Sequence, residues 1–320
     1  MQDQLGSFFV SVRSLLRPAP PVFVPAPFEN VSDAEGEDEI LGDSYQSGSS
    51  SFVAPPVASA PISIEEEDLP VLSSSLRTLL VGVIALFSKS VMNGLNTTEV
   101  LHEERIQDII YHRPDNRGLV TVSNHTSAVD DPFTPSVFLP TPWLLDSDLV
   151  RWTLCATDRC FKNQAMSFFF KTVKVLPVQR GAGLDHHYMQ TAVDMVSRGH
   201  WMHIFPEGTR SKTGELGKMK IGVGKLVAGA EVTPLVVPFV HQGMEKIMRR
   251  GTFLPSTGKK VTINIGEPID FRDLIDDMRS RGHTEKEIYA AIASKVGYAL
   301  AKLQDELRSR DHPPKKEQDQ

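Results

Sequence analysis

The sequence contains little cysteine and no long apolar run, and both absences exclude classes of protein. Cys155 and Cys160 are the only cysteines among 320 residues, too few for a disulfide scaffold or a cysteine-rich zinc module. The longest uninterrupted apolar run, residues 79–87, has nine residues, whereas a membrane-spanning helix needs about 20. We therefore do not expect a polytopic membrane protein, but a protein that lies on a membrane is compatible with the sequence.

The chain also lacks an excess of positive charge. The formal net charge is −6, which argues against a general nucleic-acid-binding protein. The acidic excess lies in residues 1–70, which contain two basic and twelve acidic residues. Residues 71–320 are mildly basic, with 32 basic and 28 acidic residues. Nucleic acid is therefore not an expected partner.

Residues 1–70 have the composition of a disordered tail. They hold nine of the 22 prolines and two acidic runs, at 35–39 and 65–68, and bury too little apolar surface to offset the entropy of ordering. Residues 1–28 contain two arginines but one acid, which fits an organelle-targeting segment and an amphipathic start of the tail equally well. We predict a folded domain over residues 71–310 and a second disordered tail over residues 311–320.

Short apolar runs alternate with helical patterns along the predicted domain. Their order predicts an α/β domain with a central, largely parallel sheet flanked by helices. Residues 260–265 alternate apolar and polar side chains, so we expect an edge strand there. The segment 232–240 contains Pro234 and Pro238, which indicate either a bent strand lining a cleft or an edge. The predicted strands are residues 118–122, 173–178, 201–205, 235–240 and 260–265, and the predicted helices are residues 185–197, 219–229 and 284–308.

Residues 76–96 predict a further helix, which is apolar nearly all round its middle. Arg77 and Lys89 flank this apolar part. Two environments fit such a helix equally well. It could lie in the interface of a bilayer, or it could be a buried helix of the core.

The first candidate for chemistry follows the strand predicted at residues 118–122. His125 lies in the loop after the strand, where α/β domains place reactive groups, and Asp130 follows five residues later. A neutral histidine can take a proton from a hydroxyl, and a carboxylate fixes its tautomer and stabilises the imidazolium that forms. One such pair is expected by chance among ten histidines, so its meaning depends on the residues that accompany it.

A second group of polar residues follows the strand predicted at residues 201–205. The segment Phe205-Pro206-Glu207-Gly208-Thr209-Arg210 combines a carboxylate, a tight turn, a hydroxyl and a guanidinium. Arginine binds phosphate through a bidentate fork, so the segment could bind a glycerol phosphate, or it could be a turn with a surface arginine. Arg180 also follows a predicted strand and is a second candidate phosphate ligand.

Taken in order, these motifs resemble those of the glycerolipid acyltransferases, over about residues 75–310. The resemblance implies a glycerol-phosphate-acyltransferase-like fold with a membrane-interface helix, and chemistry that needs no metal. It implies that His125 is the general base and that Asp130 supports it. The residues that it assigns to substrate binding are Asn124, Arg180, Phe205, Pro206, Glu207, Gly208, Thr209 and Arg210.

Within this superfamily the sequence is similar to the tafazzin family, phospholipid–lysophospholipid transacylases that remodel cardiolipin. The segments that carry the similarity are Asn124-His125-x-Ser127-x-x-Asp130-Asp131-Pro132, Arg151-Trp152-Thr153, Trp201-x-His203-Ile204-Phe205-Pro206-Glu207-Gly208, Lys220-x-Gly222-x-Gly224-x-Leu226 and His241-x-Gly243-Met244.

The similarity to tafazzins implies a CoA-independent transacylase that needs no cofactor and acts on phospholipids and lysophospholipids at a membrane surface. It further implies a mitochondrial membrane facing the intermembrane space, with another organelle membrane as the alternative. Thr209-Arg210-Ser211 instead resembles the acyl-CoA-dependent members. An acyl-CoA-dependent lysophospholipid acyltransferase is therefore the alternative function, and a catalytically silent peripheral lipid-binding protein is a further alternative.

Overall fold

The computed structural model describes residues 74–311, apart from residues 115, 148 and 253. The predicted N-terminal tail, with its possible targeting segment, lies outside the described residues. Of the predicted C-terminal tail, only residue 311 lies within them. The predicted boundaries of the domain and of its tails therefore stay predictions.

The described residues form one mixed sheet that is mostly parallel. Its strands are β1 (Thr97–Leu101), β2 (Leu119–Ser123), β3 (Trp152–Ala156), β4 (Val175–Val178), β5 (Trp201–Ile204), β6 (Leu235–Gln242), β7 (Lys260–Ile265) and β8 (Ile269–Asp270). Seven strands follow the order β1-β7-β6-β2-β5-β3-β4, and β8 pairs with β6. Only β7 and β8 run antiparallel to β6, and every other pairing in this part of the chain is parallel. The predicted α/β class with a central, largely parallel sheet is confirmed.

The expectation that residues 260–265 form an edge strand is wrong, and of the two alternatives for the strand with Pro238 the structure excludes the edge. β7 is an interior strand, because β1 pairs with its other side. β6 is also interior, since it pairs with β2 along one side and with β7 and β8 along the other. Pro238 is tolerated there because β8 pairs with residues 235–236 and β7 with residues 239–242. The proline therefore falls in the gap between these two partners, where no ladder donor is needed.

Helices cover both faces of the sheet. They are α1 (Ser74–Ser90), α2 (Glu103–His112), α3 (Asp130–Phe138), α4 (Thr157–Cys160), α5 (Gln164–Thr172), α6 (His187–Ser197), α7 (Gly222–Ala228), α8 (Met244–Ile247), α9 (Arg272–Ser280) and α10 (Glu285–Asp311). A π-helical turn, Val91–Leu95, continues α1, and a 3-10 turn, Thr141–Leu145, follows α3.

The core consists of two apolar layers, one on each face of the sheet. In β6, Val236 and Val240 belong to the layer that contains α6, α7 and α10, whereas Val237 and Phe239 belong to the layer that contains α2 and α3. This alternation follows from the two-residue period of a strand. Because both faces are covered, the central strands are buried on both sides, and all five residues of β2 are buried, including Thr121 and Ser123.

Helix α1 packs one face into the core and leaves another apolar face exposed. Val81 and Ala85 are buried in the core, as is Met92 of the π-helical turn that continues the helix. On another face, Leu79, Val83 and Phe87 are 60%, 56% and 57% exposed. Residues 77–95 are long and apolar enough to cross a membrane by length and composition, with a mean hydropathy of 1.6.

The C-terminal helix α10 confirms the helix predicted over residues 284–308. Its beginning is fixed by a capping box, in which the Thr284 N–H donates to Glu287 Oε2 at 2.7 Å and the Glu287 N–H donates to Thr284 Oγ1 at 3.3 Å. The apolar stripe predicted at helical spacing is buried, and it consists of Ile288, Ile292, Val296, Leu300, Leu303 and Leu307.

The two cysteines, for which the sequence indicates no role, form a disulfide. It joins Cys155 in β3 to Cys160, the last residue of α4. The bond ties the carboxyl end of β3 to the short helix that follows it.

Candidate active site

The candidate site lies where three neighbouring parallel strands end. β2 lies between β5 and β6, and all three run in the same direction. Their carboxyl ends therefore meet at one edge of the sheet, where α/β domains bind ligands. His125 follows β2, Glu207 follows β5, and His241 lies near the end of β6.

The structure brings His125 and Asp130 into contact. The loop after β2 turns into α3, whose first residue is Asp130, and the distance from His125 Nδ1 to Asp130 Oδ2 is 2.9 Å. The same carboxylate oxygen accepts the backbone N–H groups of Thr126 and Ser127, at 2.7 and 2.9 Å. Asp130 is completely buried. These donors hold its carboxylate against the imidazole ring.

The surroundings of Asp130 favour its charged form. Burial by itself raises the pKa of this carboxyl group. The electrostatic effect of His241 and the hydrogen bond from His125 outweigh burial, so the pKa of Asp130 lies below its ordinary value. An ionised carboxylate can only accept, so His125 Nδ1 carries the proton of their hydrogen bond. In the neutral ring, the lone pair of Nε2 is then available as a base.

His125 is held on three further sides. Its ring stacks on Phe205, with ring centroids 3.9 Å apart and planes 17° apart. Its backbone N–H donates to Glu207 Oε1 at 3.0 Å. Its backbone carbonyl accepts the N–H of Ser211 at 2.7 Å. The segment after β5 therefore supports the loop after β2.

The carboxylate of Glu207 accepts hydrogen bonds from backbone N–H groups. It is buried, and its second oxygen, Oε2, accepts the N–H of Gly217 at 2.8 Å. Both carboxylate oxygens thus accept a backbone N–H, and a substrate hydroxyl could use only their remaining lone pairs.

Gly208 follows with a φ of 66°, and a side chain at this position would overlap Lys220. Pro206 is buried, and its carbonyl accepts the Lys220 N–H at 2.8 Å.

Asn124 is engaged with β6. Its Nδ2 donates to the His241 carbonyl, and its Oδ1 accepts the His241 N–H, both at 2.9 Å. His241 Nε2 lies 3.0 Å from the Asn124 carbonyl oxygen. Three hydrogen bonds thus join these two residues. The sequence reasoning missed His241, although the motif His241-x-Gly243-Met244 stood beside the predicted strand.

The other predicted binding residues lie further out. Arg180 follows the edge strand β4, is exposed, and pairs with Asp158 at 3.3 Å. Thr209 is exposed and Arg210 is half-buried. These two residues directly precede Ser211, the residue whose N–H binds the His125 loop.

A buried ion pair adjoins the site and was not predicted. The Arg151 guanidinium, just before β3, binds Asp131 Oδ1, and both side chains are less than 10% exposed. Asp131 directly follows Asp130, so the pair anchors the start of α3. The motif Arg151-Trp152-Thr153 was the sequence signal for this pair.

His203 is a structural residue of β5. It is buried, and its Nδ1 lies 2.9 Å from Thr121 Oγ1 in the neighbouring strand. Burial lowers the pKa of His203 to about 4. Within the described part of the chain, no three side chains of His, Cys, Asp or Glu are grouped as metal ligands.

An apolar pocket lies beside α3. Helices α1, α3 and α5 contribute most of its lining, among them Ile84, Pro135 and Phe169. Asp131 and Arg151 lie at its polar side. The pocket therefore adjoins the residue that follows Asp130.

Comparison with known proteins agrees with this geometry. A protein-family model described as Acyltransferase matches residues 99–242, a stretch that includes every predicted site residue. Tafazzin of Drosophila melanogaster is 34% identical over 228 residues, which cover 71% of this chain and 60% of that protein. The chain thus spans less than two thirds of the Drosophila protein.

The chain covers a larger share of two further relatives than of the Drosophila protein. Taffazin of Dictyostelium discoideum is 37% identical over 195 residues, which cover 59% of this chain and 67% of that protein. N-acylphosphatidylethanolamine synthase of Arabidopsis thaliana is 34% identical over 202 residues, which cover 61% of this chain and 71% of that protein. The chain therefore belongs to the glycerolipid acyltransferase superfamily, as a tafazzin-like member.

Proposed function

We propose that the protein is a CoA-independent phospholipid–lysophospholipid transacylase that remodels cardiolipin. The observation that carries this proposal is the His125–Asp130 pair, set at the carboxyl end of a central strand in a tafazzin-like chain. In this proposal His125 is the general base and Asp130 fixes its tautomer. No cofactor takes part.

The reaction follows from the orientation of the His125 ring. Nδ1 is held by Asp130, so Nε2 faces the acceptor and takes the proton of a lysophospholipid hydroxyl. The hydroxyl oxygen attacks the acyl carbonyl carbon of a donor phospholipid and forms the new ester bond. The tetrahedral intermediate then expels the donor's glycerol oxygen, which takes the proton back from Nε2. A new lysophospholipid leaves, and the histidine is again neutral.

The segment after β5 supplies the groups that position the acceptor. Arg210 and Thr209 offer a guanidinium and a hydroxyl for the phosphate, one or two residues before the segment binds the His125 loop. Phe205 and Glu207 act on the His125 ring and backbone. Such positioning makes a bimolecular reaction effectively unimolecular. Arg180 would meet a phosphate only at the outer rim, in competition with Asp158.

Two features support a membrane as the site of action. Leu79, Val83 and Phe87 form an exposed apolar face on α1, and Phe168 and Phe169 of α5 are exposed as well. Both helices line the apolar pocket beside Asp131, which we propose takes part of an acyl chain. We further propose that this membrane is mitochondrial and faces the intermembrane space, in keeping with the tafazzin relatives.

A second acceptor is favoured by one relative. The 34% identity with N-acylphosphatidylethanolamine synthase of Arabidopsis thaliana supports transfer of the acyl group to the amine of phosphatidylethanolamine. The same base could take a proton from an amine. The product distinguishes the two functions, because an amide resists the mild alkali that cleaves an ester.

The test uses purified full-length protein in liposomes. These contain phosphatidylcholine, phosphatidylethanolamine and labelled monolysocardiolipin, with or without acyl-CoA. His125→Ala removes the base, and His112→Ala removes an exposed histidine that binds Asp108. We expect label to enter cardiolipin without acyl-CoA. We expect this transfer to fall about 10²–10⁴-fold in the His125 variant and to be retained in the His112 variant.

Other outcomes would change the conclusion. Transfer that requires acyl-CoA would assign the protein to the acyl-CoA-dependent acyltransferases. An alkali-resistant product from phosphatidylethanolamine would assign the amine as acceptor. Binding to the liposomes without any transfer would identify a silent lipid-binding protein. Equal transfer by wild type and the His125 variant would refute the general-base mechanism.

A further inference from the structure

His241 occupies a position that joins two parts of the site. It is buried near the end of β6, and its backbone exchanges two hydrogen bonds with the Asn124 side chain. These two bonds belong to the main chain of residue 241 and do not depend on its side chain. The imidazole ring adds contacts of its own.

The ring faces the loop after β2 and the carboxylate that supports His125. Its Nε2 lies 3.0 Å from the Asn124 carbonyl oxygen and 3.6 Å from Asp130 Oδ2. A backbone carbonyl can only accept, so the proton of this contact belongs to Nε2. The positive end of the N–H dipole therefore lies between the carbonyl and the carboxylate. Nδ1 is buried without a hydrogen-bond partner among the described residues.

The turn after β6 holds the ring in this place. Gly243 has a φ of 99°, and a Cβ there would come within 2.3 Å of the Lys260 carbonyl oxygen. Only glycine, which has no Cβ, can lie this close to the Lys260 carbonyl, so the chain can make a tight turn directly after β6 ends at residue 242. His241 therefore stays beside Asn124 at the end of the strand.

We propose that His241 is a positioning residue of the reaction. Its imidazole holds the Asn124 carbonyl and faces the Asp130 carboxylate, and it thereby fixes the geometry of the His125–Asp130 pair. This inference rests on the proposed function, since it assigns to His241 an effect on the rate of acyl transfer. His241 does not touch the substrate and acts through Asp130 and the loop after β2.

Another buried histidine provides a matched control. His203 lies in β5, and its contacts are Thr121 Oγ1 and the rings of Phe205 and Phe239. It makes no hydrogen bond to Asn124 or Asp130 among the described contacts. Replacing it tests the effect of removing a buried imidazole from this sheet.

The experiment compares two amide side chains of different reach. In His241→Gln the amide nitrogen reaches the position of Nε2, whereas in His241→Asn it reaches only the position of Nδ1. We expect the Asn variant to lower kcat by about 10–100-fold, the range for a lost hydrogen bond near a charged group. KM should stay within about threefold. We expect the Gln variant to recover most of kcat, and His203→Gln to stay within about threefold of wild type.

A second readout is independent of lipid turnover. In protein labelled with ¹⁵N-histidine, the Nδ1–H resonance of His125 reports its hydrogen bond to Asp130. We expect this resonance to shift or vanish in His241→Asn and to persist in His241→Gln and His203→Gln. An unchanged resonance, or equal kcat values for the Asn and Gln variants, would overturn the inference. A wild type without transacylation would refute the proposed function, and the spectra would still decide the role of His241.

Discussion

Replacing Glu207 by glutamine separates the substrate binding that the family resemblance implies for this residue from support of the His125 loop, which the structure shows. A carboxylate that binds substrate should change KM, whereas one that supports the His125 loop should change stability and kcat. The structure favours the second role. One oxygen of Glu207 accepts the His125 N–H at 3.0 Å and the other accepts the Gly217 N–H at 2.8 Å.

The size of the effect follows from these two bonds. Glutamine has one acceptor oxygen and one NH₂ group, so it can satisfy only one of the two backbone donors. The other N–H is left buried against a second donor, which costs about 1–3 kcal/mol. For a domain of about 150–250 residues, each kcal/mol lowers Tm by about 2–4 °C. We therefore expect Tm to fall by about 2–12 °C.

The measurement is thermal unfolding, combined with transacylation kinetics well below the unfolding transition. Glu215→Gln provides the control, because Glu215 pairs with Arg308 at the surface and such pairs contribute about 0–1 kcal/mol. We expect Glu207→Gln to lower Tm and kcat while KM for the lysophospholipid changes little. A variant with an unchanged Tm and a raised KM would refute the reasoning and assign the carboxylate to substrate binding.

Three further changes test the surroundings of the site and the edge of the sheet. Asp130→Asn should lower kcat about 10⁴-fold, because the amide no longer secures the correct histidine tautomer; a loss below tenfold in the transacylation assay would contradict this. Arg151→Met should lower the free energy of unfolding by about 3–5 kcal/mol, since Asp131 stays buried and unpaired, and Asp131→Asn in the same chain should restore most of it in denaturant titrations. Additive losses in the two variants would contradict the pairing. Burial raises the pKa of Asp270, but hydrogen bonds such as that from Arg272 outweigh it and bring the pKa from 3.8 to about 2. The resulting stability is present above pH 3.8 and is lost as the pH falls through about 2. Between these pH values the Asp270→Asn variant should therefore lose less stability than the wild type. Equal losses of the two proteins in thermal unfolding would count against this.

The sequence predicts those strands and helices whose pattern is set by burial. β2 and β5 are buried along their whole length and consist mostly of apolar residues, and α10 shows an unbroken apolar stripe at helical spacing. β1 escapes prediction because it begins with Thr97, Thr98 and Glu99 and is only partly buried. Without β1, nothing in the sequence indicates that β7 has a second neighbour. The error about the edge strand follows directly from that omission.

The same limit applies to the candidate site. His125 and Asp130 are five residues apart, so a single turn into α3 joins them and the sequence can indicate the pair. Glu207 and His241 meet this loop from 82 and 117 residues away. Their contacts depend on which strands are neighbours in the sheet, and local patterns do not carry that information. Only the resemblance to a known family placed Glu207 near the site, and it assigned no role to His241.

The carboxylates of the site are already paired within the protein, whereas His125 and Arg210 are the groups left to act on a substrate. Asp130 is held by His125 and two backbone donors, Asp131 by Arg151, and Glu207 by two backbone donors. Each of these three carboxylates thus already has its donors inside the protein. On the solvent side lie the partly exposed ring of His125, whose Nε2 is not the nitrogen that contacts Asp130, and Arg210 on the adjoining segment. In the proposed reaction an anionic headgroup therefore meets three carboxylates that the protein already compensates, and its hydroxyl meets a base whose tautomer Asp130 fixes. This arrangement supports the proposed direct transfer between two lipids, in which His125 is the base, Arg210 binds the phosphate and no acyl-enzyme forms.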